Sequence, residues 1–158
     1  RDLPSFPTRR ASDLCGPVVL PDESGAGWRV VAAGPTTSAR EEPYLPSIVA
    51  RHGIRIVIGK GGMGPAVQTA CRDQGCVYIQ VVGGAAAWLA RCVQKVRQVW
   101  FLEEFGATEA MWAFEVQNLT GIVAIDARGR SLYNGVAQRS QRELWRLLGR
   151  EHILGEES

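Results

Sequence analysis

Three short apolar runs, each followed by a glycine-containing turn and a segment of helical periodicity, dominate the first two thirds of the chain. The runs cover residues 28–33, 54–58 and 76–82, and the helical segments cover residues 38–52, 65–74 and 85–93. Apolar runs of this length, bounded by glycine turns, are typical of strands that are buried on both faces. Strand, turn and helix recurring three times predict βαβ units around a largely parallel sheet.

The pattern changes after the third helical segment. Residues 96–102, 110–116 and 122–125 read as strands with no helices between them, and residues 18–20 form one further short strand. Residues 136–152 have the periodicity of one amphipathic helix, with Leu144, Leu147 and Leu148 on one side. The predicted fold class is therefore α/β, with a mostly parallel central sheet and a smaller antiparallel or mixed layer.

The first fourteen residues do not share this pattern. They have two prolines, adjacent arginines and neither the helical nor the strand period, and FPTRRASDL resembles a translated sequencing adapter. We therefore exclude them from fold reasoning. The expected organisation is a non-native or disordered leader at residues 1–14, one domain at residues 15–135, and a C-terminal amphipathic helix and tail at residues 136–158.

The composition of the chain argues against several kinds of binding partner. A net charge of +2 is too small to indicate nucleic acid or an anionic membrane, and no apolar run approaches the roughly 20 residues that span a bilayer. We see no secretion signal. The four cysteines lack the C-x-x-C spacing of metal or redox motifs, so we expect reduced, core-packing thiols, no metal ligands in this chain and a cytoplasmic location.

Two of the strand-to-helix turns contain the residues that could bind a ligand or take part in catalysis. GPTTSARE spans residues 34–41 and GKGGMG spans residues 59–64. In a parallel sheet such turns lie along one edge, where backbone N–H groups, hydroxyls and cations can bind an anion. The sequence thus predicts a site for a small carboxylate or phosphate. Its candidate residues are three hydroxyl side chains, two cations and two glycines: Thr36, Thr37, Ser38, Arg40, Lys60, Gly61 and Gly62.

Structural interpretations of the same residues remain open. Ser38 followed by Glu41 is a capping-box signature, and helix capping alone would explain the hydroxyls. Lys60 can be a solvated loop lysine, and Gly61 and Gly62 can serve turns that need positive φ. The GGAAA stretch at residues 83–87 favours tight packing of a helix on the sheet over ligand contact.

Four motifs in this order, GPTTSARE, IVIGKGGMG, GGAAA and VAIDARG, give the chain a family resemblance. From about residue 15 to residue 133 it resembles the β subunit or C-terminal domain of the iron–sulfur hydro-lyases, the class I fumarases and related tartrate dehydratases. The resemblance implies a swivelling β/β/α domain. It also implies a partner α subunit or domain that holds a [4Fe–4S] cluster, so that this chain itself binds no cofactor.

The resemblance also assigns roles to the candidate residues. It implies a small dicarboxylate substrate, fumarate or malate, and a hetero-oligomer or homodimer. Thr36 would be the hydroxyl placed for proton transfer at carbon, and Arg40 and Lys60 would clamp the carboxylate on which negative charge builds. Thr37, Ser38, Gly61 and Gly62 would contact substrate. The cluster iron would act as the Lewis acid for the hydroxyl and the other carboxylate.

The chain departs from the family pattern at one motif, and this departure leaves other functions open. The family has a further arginine in an A-R-D-x-A-H-type stretch well upstream, and the only similar string here, Arg1-Asp2-Leu3, lies too close to the GPTT loop and lacks the histidine. Three hypotheses follow. The leading one is a fumarate hydratase subunit that is inactive without its α partner. The others are a dehydratase subunit for tartrate or another 2-hydroxy diacid, and a non-catalytic anion-binding or interaction domain.

Overall fold

Eight strands, five α-helices and one short 3-10 helix form within residues 11–25, 27–34 and 37–149, which are the residues that the computed structural model describes. The strands are β1 (Ala11–Asp13), β2 (Val18–Pro21), β3 (Trp28–Ala32), β4 (Ile56–Gly59), β5 (Val77–Gln80), β6 (Val93–Trp100), β7 (Met111–Val116) and β8 (Ile122–Ile125). The helices are α1 (Leu45–His52), α2 (Pro65–Gln74), α3 (Ala86–Cys92), α4 (Leu102–Phe105) and α5 (Leu132–Leu147), and the 3-10 helix is Ser38–Glu41.

The central sheet has the strand order β1-β4-β5-β8. Strands β1, β4 and β5 run parallel, and β8 pairs antiparallel with β5. The mostly parallel sheet and the α/β class are thus confirmed. Because β4 and β5 are parallel neighbours, the loops that follow Gly59 and Gln80 leave the sheet at the same edge.

Strand β1 lies inside the segment that we exclude from fold reasoning. Its three residues pair in parallel with β4, and the N–H of Leu14 donates to the Ile58 carbonyl oxygen at 2.9 Å. Residues 11–14 therefore belong to the sheet edge in this structure, although they lack a recognisable strand period. Residues 1–10 lie outside the described part of the chain.

The strand at residues 28–32 differs from its expected place. It pairs antiparallel with β2 in a separate two-stranded sheet and does not join the central one. Of the three expected repeats, β4-α2-β5 is a parallel unit of the central sheet, whereas α3 leads into β6 of a separate antiparallel pair. The turn at residues 34–41 does not follow a strand of the central sheet. Strands β6 and β7 form a second antiparallel pair, which confirms the expected smaller layer, although the short helix α4 lies between them. Strand β8, which was expected in that layer, joins the edge of the central sheet instead.

The helices also depart from expectation at their ends. The segment after Ser38 forms one 3-10 turn before α1 begins at Leu45, so Pro46 lies in the first turn of α1 and does not bend it. Helix α2 has its predicted bounds, residues 65–74. Helix α5 begins four residues earlier than expected, at Leu132, and ends at Leu147; its apolar residues Leu144 and Leu147 and the C-cap residue Leu148 are exposed.

Two apolar cores lie on opposite faces of the central sheet. The first is built around α1 and α2, and Val57 of β4 is buried in it. The second joins β3 to α3, and Ile58 of the same strand packs against it. Successive side chains of a strand point to opposite faces, so β4 is covered on both sides, as its continuous apolar sequence predicts.

The cysteines behave as packing residues. Cys71, Cys76 and Cys92 are buried as reduced thiols, and Cys15 is half-buried. The tryptophans differ in exposure: Trp112 is half-buried, stacks on Phe114 and meets Trp28 edge to face, whereas Trp88 is 48% exposed and is not a core residue. Among the described helices, none has the length and apolar character needed to cross a bilayer.

Candidate functional site

The two turns that contain the candidate residues are joined through their backbones. Thr37 and Lys60 form an isolated parallel bridge just beyond the end of β4. This bridge brings the segment at residues 37–41 alongside the loop at residues 59–64. The expected convergence of the two turns is therefore present, although the first turn arrives from β3 and not from a strand of the central sheet.

Ser38 links the same two segments with its side chain. The N–H of Lys60 donates to Ser38 Oγ at 2.9 Å, and Ser38 is 0% exposed. The capping-box interpretation of Ser38 is wrong, because Thr37 occupies the N-cap position of the 3-10 helix and no side chain caps it. The Ser38 hydroxyl fixes the backbone of Lys60 instead.

Gly59 allows this close approach. A Cβ atom at Gly59 would lie 2.2 Å from Ser38 Oγ and 2.7 Å from the hydroxyl of Tyr78. No side chain fits into that space, so the first glycine of GKGGMG is required by packing. The next glycine, Gly61, has φ +73° and open space around it, which is the left-handed turn conformation that glycine favours.

Glu42 makes a third link, which the sequence did not reveal. One of its carboxylate oxygens accepts from the N–H of Gly64 at 2.7 Å, and the other accepts from the N–H of Val67 at 3.1 Å. These N–H groups belong to the N-terminus of α2, where a negative charge is favourable. The motif that we interpreted as a local cap ends at Glu41, whereas the neighbouring residue caps a different helix.

Two tyrosine hydroxyls meet at the carbonyl oxygen of Gly61. Tyr78 donates to it at 3.1 Å, and the Tyr133 hydroxyl lies 2.5 Å from it and 2.5 Å from Gln80 Oε1. The ring of Tyr133 also covers Gly62, where a Cβ atom would be 3.6 Å away. Tyr133 is 72 residues from Gly61 in sequence, and no local pattern could have placed it here.

The glycine stretch after β5 completes the surroundings of Lys60. A Cβ atom at Gly83 would lie 3.8 Å from Lys60 Cδ, so the aliphatic part of the lysine runs beside that loop. At Gly34 a Cβ atom would be 3.1 Å from the Cβ of Ala86, whose carbonyl oxygen accepts from the Ala33 N–H. The alanine part of the GGAAA stretch therefore packs closely against Gly34, as its composition predicts, whereas Gly83 is in ordinary contact distance of Lys60 and Gly84 is open.

The surface formed by residues 37–41 and 59–64 presents positive charge to solvent. Thr37, Arg40, Gly61 and Gly62 are exposed, and Lys60 is half-buried. Within residues 11–25, 27–34 and 37–149, neither Arg40 nor Lys60 takes part in an ion pair. Two cations without carboxylate partners beside a glycine loop are able to bind an anion. Thr36 and its role in proton transfer lie outside the described residues.

The cysteines do not form a cluster site. An iron–sulfur cluster needs three or four convergent thiolates, and the described residues contain no group of three or more potential metal ligands. Cys71 and Cys76 share a hydrogen bond inside the first core. This bond and burial raise the pKa of the Cys71 thiol, whereas the same bond lowers the pKa of Cys76. A buried pair of this kind does not fit a cluster.

Comparison with known proteins bears on the identity of this arrangement. The family model described as "Fumarase C-terminus" matches residues 3–136, which include both turns and Tyr133. The chain is 48% identical over 130 residues to a protein from Geobacillus stearothermophilus that carries the provisional name fumarate hydratase class I. This match covers 82% of the chain and 25% of that protein.

Two relatives have another name. The L(+)-tartrate dehydratase subunit beta of Escherichia coli is 32% identical over 133 residues, covering 84% of the chain and 65% of that protein. A Methanocaldococcus jannaschii protein, provisionally named for the same subunit, is 40% identical over 123 residues, covering 77% and 63%. The chain thus spans a quarter of the first relative and less than two thirds of the other two. By the family match over most of its length, the chain belongs to the fumarase C-terminus family.

Proposed function

We propose that this chain is the β subunit or C-terminal domain of a class I fumarate hydratase, which interconverts fumarate and malate. The supporting observation is the Ser38–Lys60 hydrogen bond together with the Thr37–Lys60 bridge, because these contacts join the two turns that contain Arg40 and Lys60. A dicarboxylate offers two anionic groups, and a positively charged edge beside a glycine loop matches one of them.

The residues of this chain would do two things in the reaction. Arg40 and Lys60 would bind one substrate carboxylate and stabilise the negative charge that develops on it when a proton leaves the adjacent carbon. Thr36 would move that proton. In the hydration direction, the oxygen of water bonds to one alkene carbon and a proton is delivered to the other, so that fumarate and one water give one malate. Thr37, Ser38, Gly61 and Gly62 would line the carboxylate position.

The rest of the active site would come from a partner. A [4Fe–4S] cluster held by an α subunit or domain would supply the Lewis acid for the substrate hydroxyl. Exposed apolar side chains support an interface, among them Ile122 and Val123 of the edge strand β8 and Leu147 of α5. We infer a hetero-oligomer or homodimer of swivelling domains in the cytoplasm.

Reconstitution tests this proposal. The full chain alone should not hydrate fumarate, and addition of a cluster-bearing α subunit should produce malate, followed by the loss of fumarate absorbance. The Lys60→Ala chain with the same α subunit is the matched control and should be strongly impaired. Turnover by the chain alone, or equal turnover by the Lys60→Ala complex, would overturn the proposal.

A tartrate dehydratase subunit is the second candidate. The two relatives with that name share a larger part of their length with this chain than the fumarate hydratase relative does. A site built to hydrogen-bond both hydroxyls of tartrate would reject malate, because buried polar groups would be left unpaired. We expect a higher kcat/KM for malate and fumarate, and the reverse ranking would assign the protein to the tartrate branch. Carboxylate binding without turnover in the reconstituted complex would indicate the non-catalytic alternative.

A further inference from the structure

We propose that Tyr133 is a positioning residue that holds the Lys60-containing loop in the conformation that binds a carboxylate. This inference rests on the proposed function of Lys60 and extends it to a residue from the opposite end of the domain. Tyr133 stands in the first turn of α5, and its hydroxyl reaches Gly61, the residue immediately after Lys60.

The contacts on the two sides of Lys60 define its backbone. On the N-terminal side, the Lys60 N–H is fixed by Ser38 Oγ at 2.9 Å. On the C-terminal side, the Gly61 carbonyl oxygen accepts from Tyr78 at 3.1 Å and lies 2.5 Å from the Tyr133 hydroxyl. The backbone on either side of the lysine is therefore held, and its side chain extends past Gly83.

Tyr133 is suited to restrain the loop because Gly61 provides no restraint of its own. Gly61 has φ +73° and no side chain, and an exposed glycine has more accessible backbone conformations than any other residue. Tyr133 offsets this freedom in two ways. Its hydroxyl fixes the carbonyl of Gly61, and its ring lies over Gly62.

The Tyr133 hydroxyl also contacts Gln80, and its raised pKa keeps it protonated. Gln80 is the last residue of β5, and its Oε1 lies 2.5 Å from the Tyr133 hydroxyl, whose single proton is shared between this oxygen and the Gly61 carbonyl oxygen. Burial, with a smaller effect of Tyr78, raises the pKa of Tyr133 to about 12. The hydroxyl thus keeps its proton at neutral pH and remains a hydrogen-bond donor.

Amide hydrogen exchange of the full chain tests the restraint without a partner or substrate. Tyr133→Phe keeps the ring and removes the hydroxyl, so exchange at Lys60, Gly61 and Gly62 should accelerate about tenfold, the change expected from the loss of one hydrogen bond. The Val77 N–H, which donates to the Arg55 carbonyl oxygen at 2.9 Å at the opposite end of β5, is the internal reference and should be unchanged. The matched control is Tyr44→Phe, at an exposed tyrosine 63% accessible to solvent. Unchanged loop exchange in Tyr133→Phe would overturn the inference.

A double-mutant cycle shows whether Tyr133 acts through Lys60. In the reconstituted complex, we expect Tyr133→Phe to raise KM for malate about three- to tenfold, and to have no further effect in the Lys60→Ala background. A structural role elsewhere would give the same factor in both backgrounds and would contradict the inference. If Lys60→Ala itself leaves KM and kcat unchanged, the proposed function fails, whereas a faulty Tyr133 assignment leaves the Lys60→Ala defect intact.

Discussion

The backbone N–H of Lys60 and the hydroxyl oxygen of Ser38 lie 2.9 Å apart, and Ser38 is fully buried. This contact joins residues that are 22 positions apart and, together with the Thr37–Lys60 bridge, holds the backbone of Lys60 beside GPTTSARE. The conformation of the GKGGMG loop at its lysine therefore depends on the serine of GPTTSARE.

Ser38→Ala should destabilise the domain. The substitution removes the Ser38 Oγ acceptor from the partly buried N–H of Lys60, and an unsatisfied group of this kind costs about 1–3 kcal/mol. The free energy of unfolding from urea titration measures the effect. Ser140→Ala, on the exposed face of α5, is the matched control and should stay within about 0.5 kcal/mol of the wild type. Equal stability of the two variants would show that the contact is not formed in solution.

Gly59→Ala should be more damaging than its size suggests. The added methyl group would lie 2.2 Å from Ser38 Oγ, so either the serine or the loop must move, and overpacking of this kind costs about 1–3 kcal/mol. Gly135 in α5 offers the opposite control, because a Cβ atom there meets nothing within 4 Å. Gly135→Ala should stabilise the helix by about 0.5–1 kcal/mol. The two alanine variants should therefore shift the urea midpoint in opposite directions.

Local pattern predicted much of this fold. Helix α2 and strand β8 have their expected bounds, and β4 is covered on both faces as its apolar run indicates. These elements depend on periodicity and on glycine or proline at their ends, which sequence displays directly. The convergence of the two turns was also predicted, but the structure achieves it by another route, because the first turn follows β3 of a separate sheet and meets the second turn through the Thr37–Lys60 bridge.

Tertiary pairing is what the sequence could not reveal. The apolar pattern of β3 is the same whether its neighbour is parallel or antiparallel, so its placement with β2 was missed. Ser38 has the spacing of a capping residue, yet burial against Lys60 determines its role. The contribution of Tyr133 depends on a contact 72 residues away, and such a contact leaves no local signature.

Glu42→Gln should weaken the contact that holds the C-terminal end of the 59–64 loop, where α2 begins. Both carboxylate oxygens accept N–H donors at the start of α2, and an amide provides one acceptor, no negative charge and a misplaced donor. We expect a loss of about 1–2 kcal/mol of stability, as for a charged N-terminal cap. Glu104→Gln, at an exposed position of α4, should change the urea midpoint little. A loss of equal size at Glu104 would mean that surface charge, and not capping, is being measured.

Tyr133 should give stability a specific dependence on alkaline pH. Its pKa is raised from 10.0 to about 12 by burial, so the folded state retains this proton when the unfolded state has released it. The contribution is complete below pH 10 and is lost as the pH rises through about 12, because folding then requires proton uptake. Tyr133→Phe should therefore flatten the fall in the free energy of unfolding over this interval, and Tyr44→Phe should not. Parallel pH profiles for Tyr133→Phe and the wild type would contradict the assignment.

Substitution of the three proposed catalytic residues should separate their roles in the reconstituted complex. Lys60→Ala removes a charge-assisted hydrogen bond that strengthens as charge develops on the carboxylate, so kcat/KM should fall by a factor equivalent to roughly 2–4 kcal/mol. Arg40→Lys keeps the charge but not the bidentate geometry, and we expect a substantial loss as well. Thr36→Val preserves shape and removes the hydroxyl, so kcat should fall far more than KM rises. Arg97→Lys is the control, because Arg97 is exposed and pairs with Glu115 on the β6–β7 sheet. This variant should leave kcat and KM unchanged. If Thr36→Val raised KM with kcat intact, the hydroxyl would bind substrate and the proton would have to move through another group.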